Sequence, residues 1–309
     1  MSQRRSRLIK FIRNLKRAIR HSRMALYNSK YSNRIYNNHI LTVLAVLREY
    51  LQLSYERLED LLNVMDEQIL SLIGLRSDRI PHFTTVNKFI LRSRLPQLKA
   101  ILRSFIALIK LKQLHIALDS TGYSIRRASR YYTQTLTRTS HDKIRRKNAK
   151  RPIRTYLKST CSIDHRKQLL VAIKIRRGPS NDNIDFKPVV KMTAEGPQRV
   201  VSTVADKGYD AESNHSYCRR TIGAQCIIPL RRSRHRDDEV HGWFRRQMMI
   251  DFPKEKYGRR ALIETVFSVI KRLMGDHIES RKVCAQNKQL ILRGIAYNSH
   301  RMTVLFFII

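Results

Sequence analysis

Acidic side chains are scarce in this sequence. Of 309 residues, 24 are Asp or Glu against 62 Lys and Arg, and no acid precedes Glu49. The formal net charge of +38 far exceeds what solubility requires and attracts any polyanion, with nucleic acid the expected partner. Charge alone leaves a ribosome-associated or merely basic protein as the alternative to an enzyme acting on DNA, so chemistry has to decide between them.

Long apolar runs are missing as well. The closing TVLFFII is far shorter than the ~20 residues that span a bilayer, and no signal-peptide pattern opens the chain. A soluble protein with no membrane partner is expected. Cysteine is sparse: Cys161, Cys218, Cys226 and Cys284 lie far apart with no C-x-x-C pair. That spacing points away from a zinc site or disulfide framework and toward reduced, intracellular thiols; a cytoplasmic protein, nucleoid-associated when bound to DNA, is expected. The acid-free, Arg-rich opening has the composition of a mitochondrial transit peptide. Beside the charge of the whole chain, a phosphate-gripping amphipathic helix is the better reading.

The length and a hydrophobic content of 42% suit two folded parts, on a prior of about 150 residues per domain. We expect a basic helical DNA-binding region over 1–110 and a larger domain over 111–309. From Ile40 to Leu75 apolar residues recur at three- and four-residue steps, which predicts amphipathic helices, with Ser54 capping the second. In RIPHFTTVNKFILRSR, Pro81 is a break, Thr84 or Thr85 an N-cap, and the following helix presents Asn87, Lys88, Arg92 and Arg94. Two helices, a break and a polar third helix resemble a helix-turn-helix, whose third helix reads DNA. The alternative is a packing subdomain with an ordinary solvated face.

Beyond Lys110 the pattern changes to short runs rich in Val, Ile and Thr. LHIALDSTGYSI, LKSTCSID, QLLVAIKIRRG and RVVSTVADKGY read as strands, the middle two joined as a hairpin with Asp164 in the turn. AQCIIPL reads as a fifth strand, and helices are expected over 184–192, 211–220 and 257–274. The fold class is therefore α/β, a mixed sheet flanked by helices, behind the helical N-terminal region. Between the first two strands, the stretch 125–156 is crowded with Arg and Lys, with Tyr131, Tyr132 and Tyr156 interleaved. Such a loop suits phosphate tracking and base stacking, or is a disordered charge run until DNA orders it.

Three carboxylates stand out. Asp119 ends the apolar run LHIAL and Asp206 follows VVSTVA, so both emerge where a strand finishes. Asp210 reads as a cap of the next helix. On the predicted helix, Tyr257, Arg260, Glu264 and Lys271 fall within an arc of roughly 60°, separate from a broad apolar arc of Leu262, Ile263, Val266, Phe267, Val269, Ile270, Leu273 and Met274. By itself that polar face reads as a salt-bridged stripe, Glu264 pairing with Arg260 for about 0.3 to 0.5 kcal/mol. Two strand-end aspartates and one helical glutamate together form a hard oxygen donor set, suited to magnesium or manganese.

The spacing Y-x-x-R-x-x-x-E-x-x-x-x-x-x-K at Tyr257, Arg260, Glu264 and Lys271 resembles the signature of bacterial and archaeal insertion-sequence transposases. Asp119-Ser120-Thr121 and Asp206-Lys207-Gly208-Tyr209-Asp210 are similar to the regions that supply that family's first two acidic ligands. The likeness runs from about Ile40 to Arg301 and is nearest to the insertion-sequence family numbered five. It implies an RNase H-like fold, a metal-binding catalytic triad of Asp119, Asp206 and Glu264, and binding of the terminal inverted repeats and target DNA as a homodimer or larger assembly. It also implies two Mg²⁺ ions, replaceable by Mn²⁺, with Asp119 touching both and the other two acids one each. Tyr257, Arg260, Lys271 and Lys207 would then contact phosphate, beside Asn87, Lys88 and Arg92 on the polar third helix of the N-terminal region. Alternatives are another RNase H-like nuclease without strand transfer, or a non-catalytic DNA-binding descendant of a transposase.

Overall fold

The computed structural model describes residues 2–125, 156–178, 180–231 and 240–305. The basic stretch 125–156 lies outside them apart from its two end residues, so Tyr131 and Tyr132 do too.

Six helices come first: α1 (Ser2–His21), α2 (Asn38–Tyr50), α3 (Tyr55–Asn63), α4 (Glu67–Ile73), α5 (Phe83–Arg92) and α6 (Leu95–Leu108). Helix α1 is the acid-free opening. Phe11, Ile12, Leu15, Ala18 and Ile19 recur at helical spacing and are buried, while Arg13, Arg17 and Arg20 face solvent. As expected, the Ser54 side chain caps α3, accepting from the Arg57 N–H. The start of α5 differs from expectation: its N-cap is His82, not Thr84 or Thr85. The His82 ring accepts from the Thr84 N–H, and Glu59 of α3 reaches across to accept from the Phe83 N–H at 2.7 Å. A tertiary acceptor thus lets the helix begin earlier than its local cap signals indicate. Arg94 falls outside α5 and is instead the N-cap of α6.

The sheet contains β1 (Gln113–Ile125), β2 (Leu157–Asp164), β3 (Leu169–Arg177), β4 (Arg199–Ala205) and β5 (Gln225–Ile227), in the order β3-β2-β1-β4-β5. β1, β2 and β3 are antiparallel neighbours, whereas β4 pairs parallel with β1 and β5 parallel with β4. Asp164 closes β2, and its carboxylate accepts from the Lys167 N–H of the hairpin turn at 2.9 Å. Helix α7 (Asn183–Ala194) connects β3 to β4. After β4 come a 3₁₀ turn (Lys207–Tyr209), α8 (Glu212–Ser216), a π-helical turn (Tyr217–Ile222), β5, α9 (Trp243–Ile250), α10 (Lys254–Gly258), α11 (Ala261–Met274), β6 (His277–Ile278) and α12 (Val283–Leu305). This mixed sheet, covered by helices, is the RNase H-like arrangement expected.

One helix breaks where the sequence reads as continuous. The stretch 211–220 stays helical, α8 passing directly into the π-helical turn, but 257–274 divides into α10 and α11. At this break Arg260 N–H donates to Tyr257 O and Ile263 N–H to Arg260 O, three-residue steps in place of four-residue ones. Gly258, a poor helix former, sits at this tightening. Tyr257 consequently belongs to α10, and only Arg260, Glu264 and Lys271 are carried by α11, with Arg260 as its N-cap.

Helix α12 had no counterpart in the periodicity reading, yet it packs on α1, α2, α6 and β3. Gly294 lets β3 approach, since a Cβ there would stand 2.5 Å from the Ile173 side chain. One cluster of buried apolar side chains runs from Phe11 of α1 through Leu118 of β1 to Met302 of α12, so 1–110 and 111–309 share a core. Among the described residues no helix is long and apolar enough to cross a membrane.

Candidate active site

The parallel pairing of β1 with β4 ends at Leu118↔Ala205. The next residue on each strand is an aspartate, Asp119 and Asp206, so the fold sets two carboxylate-bearing positions side by side just past the last rung. Asp206 does sit at the end of its strand. Asp119 does not: β1 runs on to Ile125, with Asp119 still paired to Cys161 of β2. β1 is the longer strand because β2 continues to pair with it after β4 has stopped.

Helix α11 lies over this part of β1, burying Ile263, Val266, Phe267, Ile270 and Met274, all within the expected apolar arc. That packing brings Arg260 and Glu264 to the aspartates. One guanidinium touches two carboxylates, Arg260 Nη1 at 3.2 Å from Asp119 Oδ2 and Nη2 at 2.7 Å from Glu264 Oε1. The i,i+4 pair expected of a bland surface stripe therefore exists, but it also reaches a residue 141 positions away.

Asp119 is partly sheltered, its side chain 20% exposed. Burial pushes its carboxyl up to about 6; the Ser120 N–H at 2.7 Å and Arg260 oppose the rise, and the negative charges of Asp206 and Glu264 add to it. An acid whose ionised form is disfavoured by its own neighbours is a site where an added cation is stabilising. Burial also raises the Tyr257 phenol, whose ring centroid lies 5.9 Å from the Arg260 guanidinium carbon. Lys271, two turns along α11, sets its ammonium 5.3 Å from the Tyr123 ring centroid on β1. Lys207 is exposed on the turn directly after Asp206. Lys88 and Arg92 lie on α5 at the helix surface and Asn87 is half-buried there, on a separate element packed on α2, α3 and α12.

The donor chemistry fits a hard divalent cation, since all three acids offer carboxylate oxygens. As the side chains lie, no three His, Cys, Asp or Glu among the described residues stand close enough to share one. Arg260 occupies the gap between Asp119 and Glu264. Glu264 is 56% exposed on the first turn of its helix, which leaves room for a rotamer change.

Several polar residues around the site escaped the sequence reading. Asp210 does not cap a helix: its carboxylate is fully buried and takes two hydrogen bonds from Arg245 of α9, at 2.9 and 2.7 Å. Glu212 caps α9 by accepting from the Phe244 and Arg245 N–H groups. On the far face of β1, the Ser120 hydroxyl lies 2.7 Å from the Tyr209 hydroxyl. Both belong to the two aspartate motifs, so the signal was present but carried no geometry.

Residues 110–299 match the family described as a transposase DDE domain. The chain belongs to the DDE transposase family. No curated protein sequence matches this transposase. Among solved structures it is similar to a piggyBac transposase seen by cryo-EM in a synaptic complex with hairpin DNA, at 10% identity and a TM-score of 0.48, over 97% of this chain and 75% of that one.

Proposed function

We propose that this DDE transposase binds the terminal inverted repeats of an insertion sequence and catalyses metal-dependent cleavage of DNA strands and their transfer to target DNA. Asp119, Asp206 and Glu264 are the catalytic metal ligands in this reading. The observation that carries it is the meeting of Asp119 and Asp206 past the last β1–β4 rung, with Glu264 linked to Asp119 through one guanidinium.

Asp119, Asp206 and Glu264 would hold two magnesium ions, or manganese in their place, which would supply an activated water or 3′ hydroxyl and a stabilised leaving oxygen. The chain's own residues then divide the remaining work. Arg260 moves off the carboxylates and offers its two-pronged donor face to a phosphate, where its charge offsets the negative charge gathering on phosphorus. Lys271 adds a second positive charge from the same helix, and Tyr257 donates a hydrogen bond from the neighbouring one. Lys207 grips an adjacent phosphate. Asn87, Lys88 and Arg92 on α5 contact the terminal repeat, and the net charge of +38 draws the duplex in. The working assembly on DNA is a homodimer or larger, in the cytoplasm on the nucleoid.

The test is strand cleavage of a labelled repeat end by the full chain. Asp119→Ala, Asp206→Ala and Glu264→Ala should each abolish cleavage while DNA binding persists, and a chelator should stop the unmodified protein. A triad variant that still cuts would remove that residue from the ligand set. Cutting in chelator would remove the metal mechanism, and cutting without joining of the 3′ end would leave a nuclease.

A further inference from the structure

Asp206 directly follows the last residue of β4 and has no partner on β1, because the ladder stops at Leu118↔Ala205. Something other than sheet pairing has to hold its turn beside Asp119. Directly after Asp206 the chain makes one tight turn, Tyr209 N–H donating to Asp206 O at 2.9 Å and Asp210 N–H to Lys207 O at 3.1 Å. This turn brings the Tyr209 side chain back against β1. Its hydroxyl is 2.7 Å from Ser120 Oγ, on the residue that follows Asp119.

Successive residues of a strand face opposite sides, so Ser120 lies behind the sheet from Asp119. There it is part of a line of hydroxyls. Ser120 Oγ is 2.9 Å from Thr160 Oγ1 of β2, and Thr160 donates to Asp185 Oδ2 of α7 at 3.3 Å. Asp185 is fully buried and acts only as an acceptor, held by Arg176 at 2.7 Å and Lys174 at 3.3 Å. With the Thr160 proton committed to the carboxylate, Ser120 donates to Thr160 and Tyr209 donates to Ser120. The line has one direction and one anchor. Tyr209 itself is 1% exposed, its ring centroid 5.8 Å from that of Phe186 and its carbonyl accepting from Asn214 Nδ2 at 2.9 Å.

We propose that Tyr209 is a positioning residue for the aspartate pair. Its hydroxyl, fixed on Ser120, replaces the missing rung between β1 and β4 and sets how far apart Asp119 and Asp206 stand, hence how well they share a divalent cation. The proposal rests on the metal-ligand reading above. It concerns the spacing of the ligands rather than their identity.

The test uses the full chain and Tyr209→Phe, which removes one hydroxyl and keeps the ring, its packing and both backbone hydrogen bonds. Mn²⁺ binding without DNA, followed by titration calorimetry, should weaken by about 10- to 100-fold, the usual cost of losing a group that orients metal ligands. In metal-free protein, amide exchange at Tyr209 and Asp210 should quicken while the β1–β2 ladder is unchanged. Ser120→Ala should weaken Mn²⁺ binding similarly, and the double variant should lose no more than either alone. This second route keeps the proposal open to refutation if Tyr209→Phe folds poorly. Unchanged Mn²⁺ affinity in a folded Tyr209→Phe, or additive losses in the double variant, would overturn it. An unmodified chain that binds no Mn²⁺ would instead remove the ligand reading underneath, and the proposal with it.

Discussion

Arg260, the N-cap of α11, donates to Asp119 Oδ2 at 3.2 Å across 141 residues of chain. Its other nitrogen pairs with Glu264, so the guanidinium lies between two acids that the family likeness assigns to metal binding. A cation is thereby already present in the site, supplied by the protein. It offsets the mutual repulsion of the acids, and its partners are the groups a metal ion would take.

Arg260 and a divalent cation therefore compete for the same oxygens. Arg260→Gln should bind Mn²⁺ more tightly than the unmodified chain in the absence of DNA, as read by calorimetry. Cleavage at saturating metal should nevertheless slow on the order of 10²-fold, because a positive donor aimed at the developing charge is gone. Weaker Mn²⁺ binding in the variant would show that Arg260 supports the ligands instead of displacing the ion.

The raised Asp119 carboxyl, at about 6, has a stability consequence of definite sign. A folded-state value above the unfolded one near 3.9 means the contribution is fully present below about pH 4 and is lost as pH rises to about 6. Above that, the metal-free fold carries the whole cost of an ionised Asp119. Asp119→Asn, which mimics the protonated acid, should raise the melting temperature in chelator by a few degrees at pH 8 and by less at pH 5. Mn²⁺ affinity of the unmodified chain should fall as the pH drops through about 6. A variant no more stable at pH 8 than the parent would mean that Arg260 already neutralises the site.

The main architecture was legible because it rests on short-range periodicity. Alternation and β-branched residues marked β1 to β5, and the three- and four-residue apolar spacing marked α2, α3 and α4. The apolar arc of α11 was readable for the same reason, its buried members being Ile263, Val266, Phe267, Ile270 and Met274. What escaped depended on long-range contacts. Helix α12 buries Lys288, Gln289 and Arg293, polar residues that break an amphipathic pattern, because each has a partner elsewhere. Lys288 caps α5 by donating to Ile90 O and Leu91 O, while Gln289 and Arg293 share Glu49 of α2. Asp206 was recognisable as a strand-end acid, whereas Asp119 turned out to lie within β1, and their adjacency follows from β4 pairing parallel with β1, a register that no local pattern encodes. The break after Gly258 and the His82 cap were hidden likewise, the latter because Glu59 arrives from another helix.

DNA binding should depend steeply on salt. Each phosphate neutralised contributes about −0.9 to the slope of log affinity against log salt on duplex DNA. If α5 grips the terminal repeat through its cations, Lys88→Ala and Arg92→Ala should each flatten that slope by about 1 for every phosphate left unneutralised. Fluorescence anisotropy across a salt series on a repeat end reads this directly. Slopes identical to the parent would take α5 out of the phosphate interface.

Asp210 and Arg245 tie the turn after Asp206 to helix α9. The carboxylate is fully buried and accepts from Arg245 Nε and Nη2 and from the Arg231 N–H at 2.9 Å, so it has traded hydration for three donors. Arg245→Ala strips two of them and strands a charge away from water, at a cost on the order of 3 to 5 kcal/mol. Asp210→Asn alone should cost less, since it leaves no unpaired charge buried and the amide oxygen can still accept from a donor. Combining it with Arg245→Ala should recover part of the Arg245→Ala loss, a coupling that urea unfolding of the four proteins would measure. Strict additivity would mean the pair is energetically independent and that α9 is held by its Glu212 cap and the packing of Phe244 and Met248.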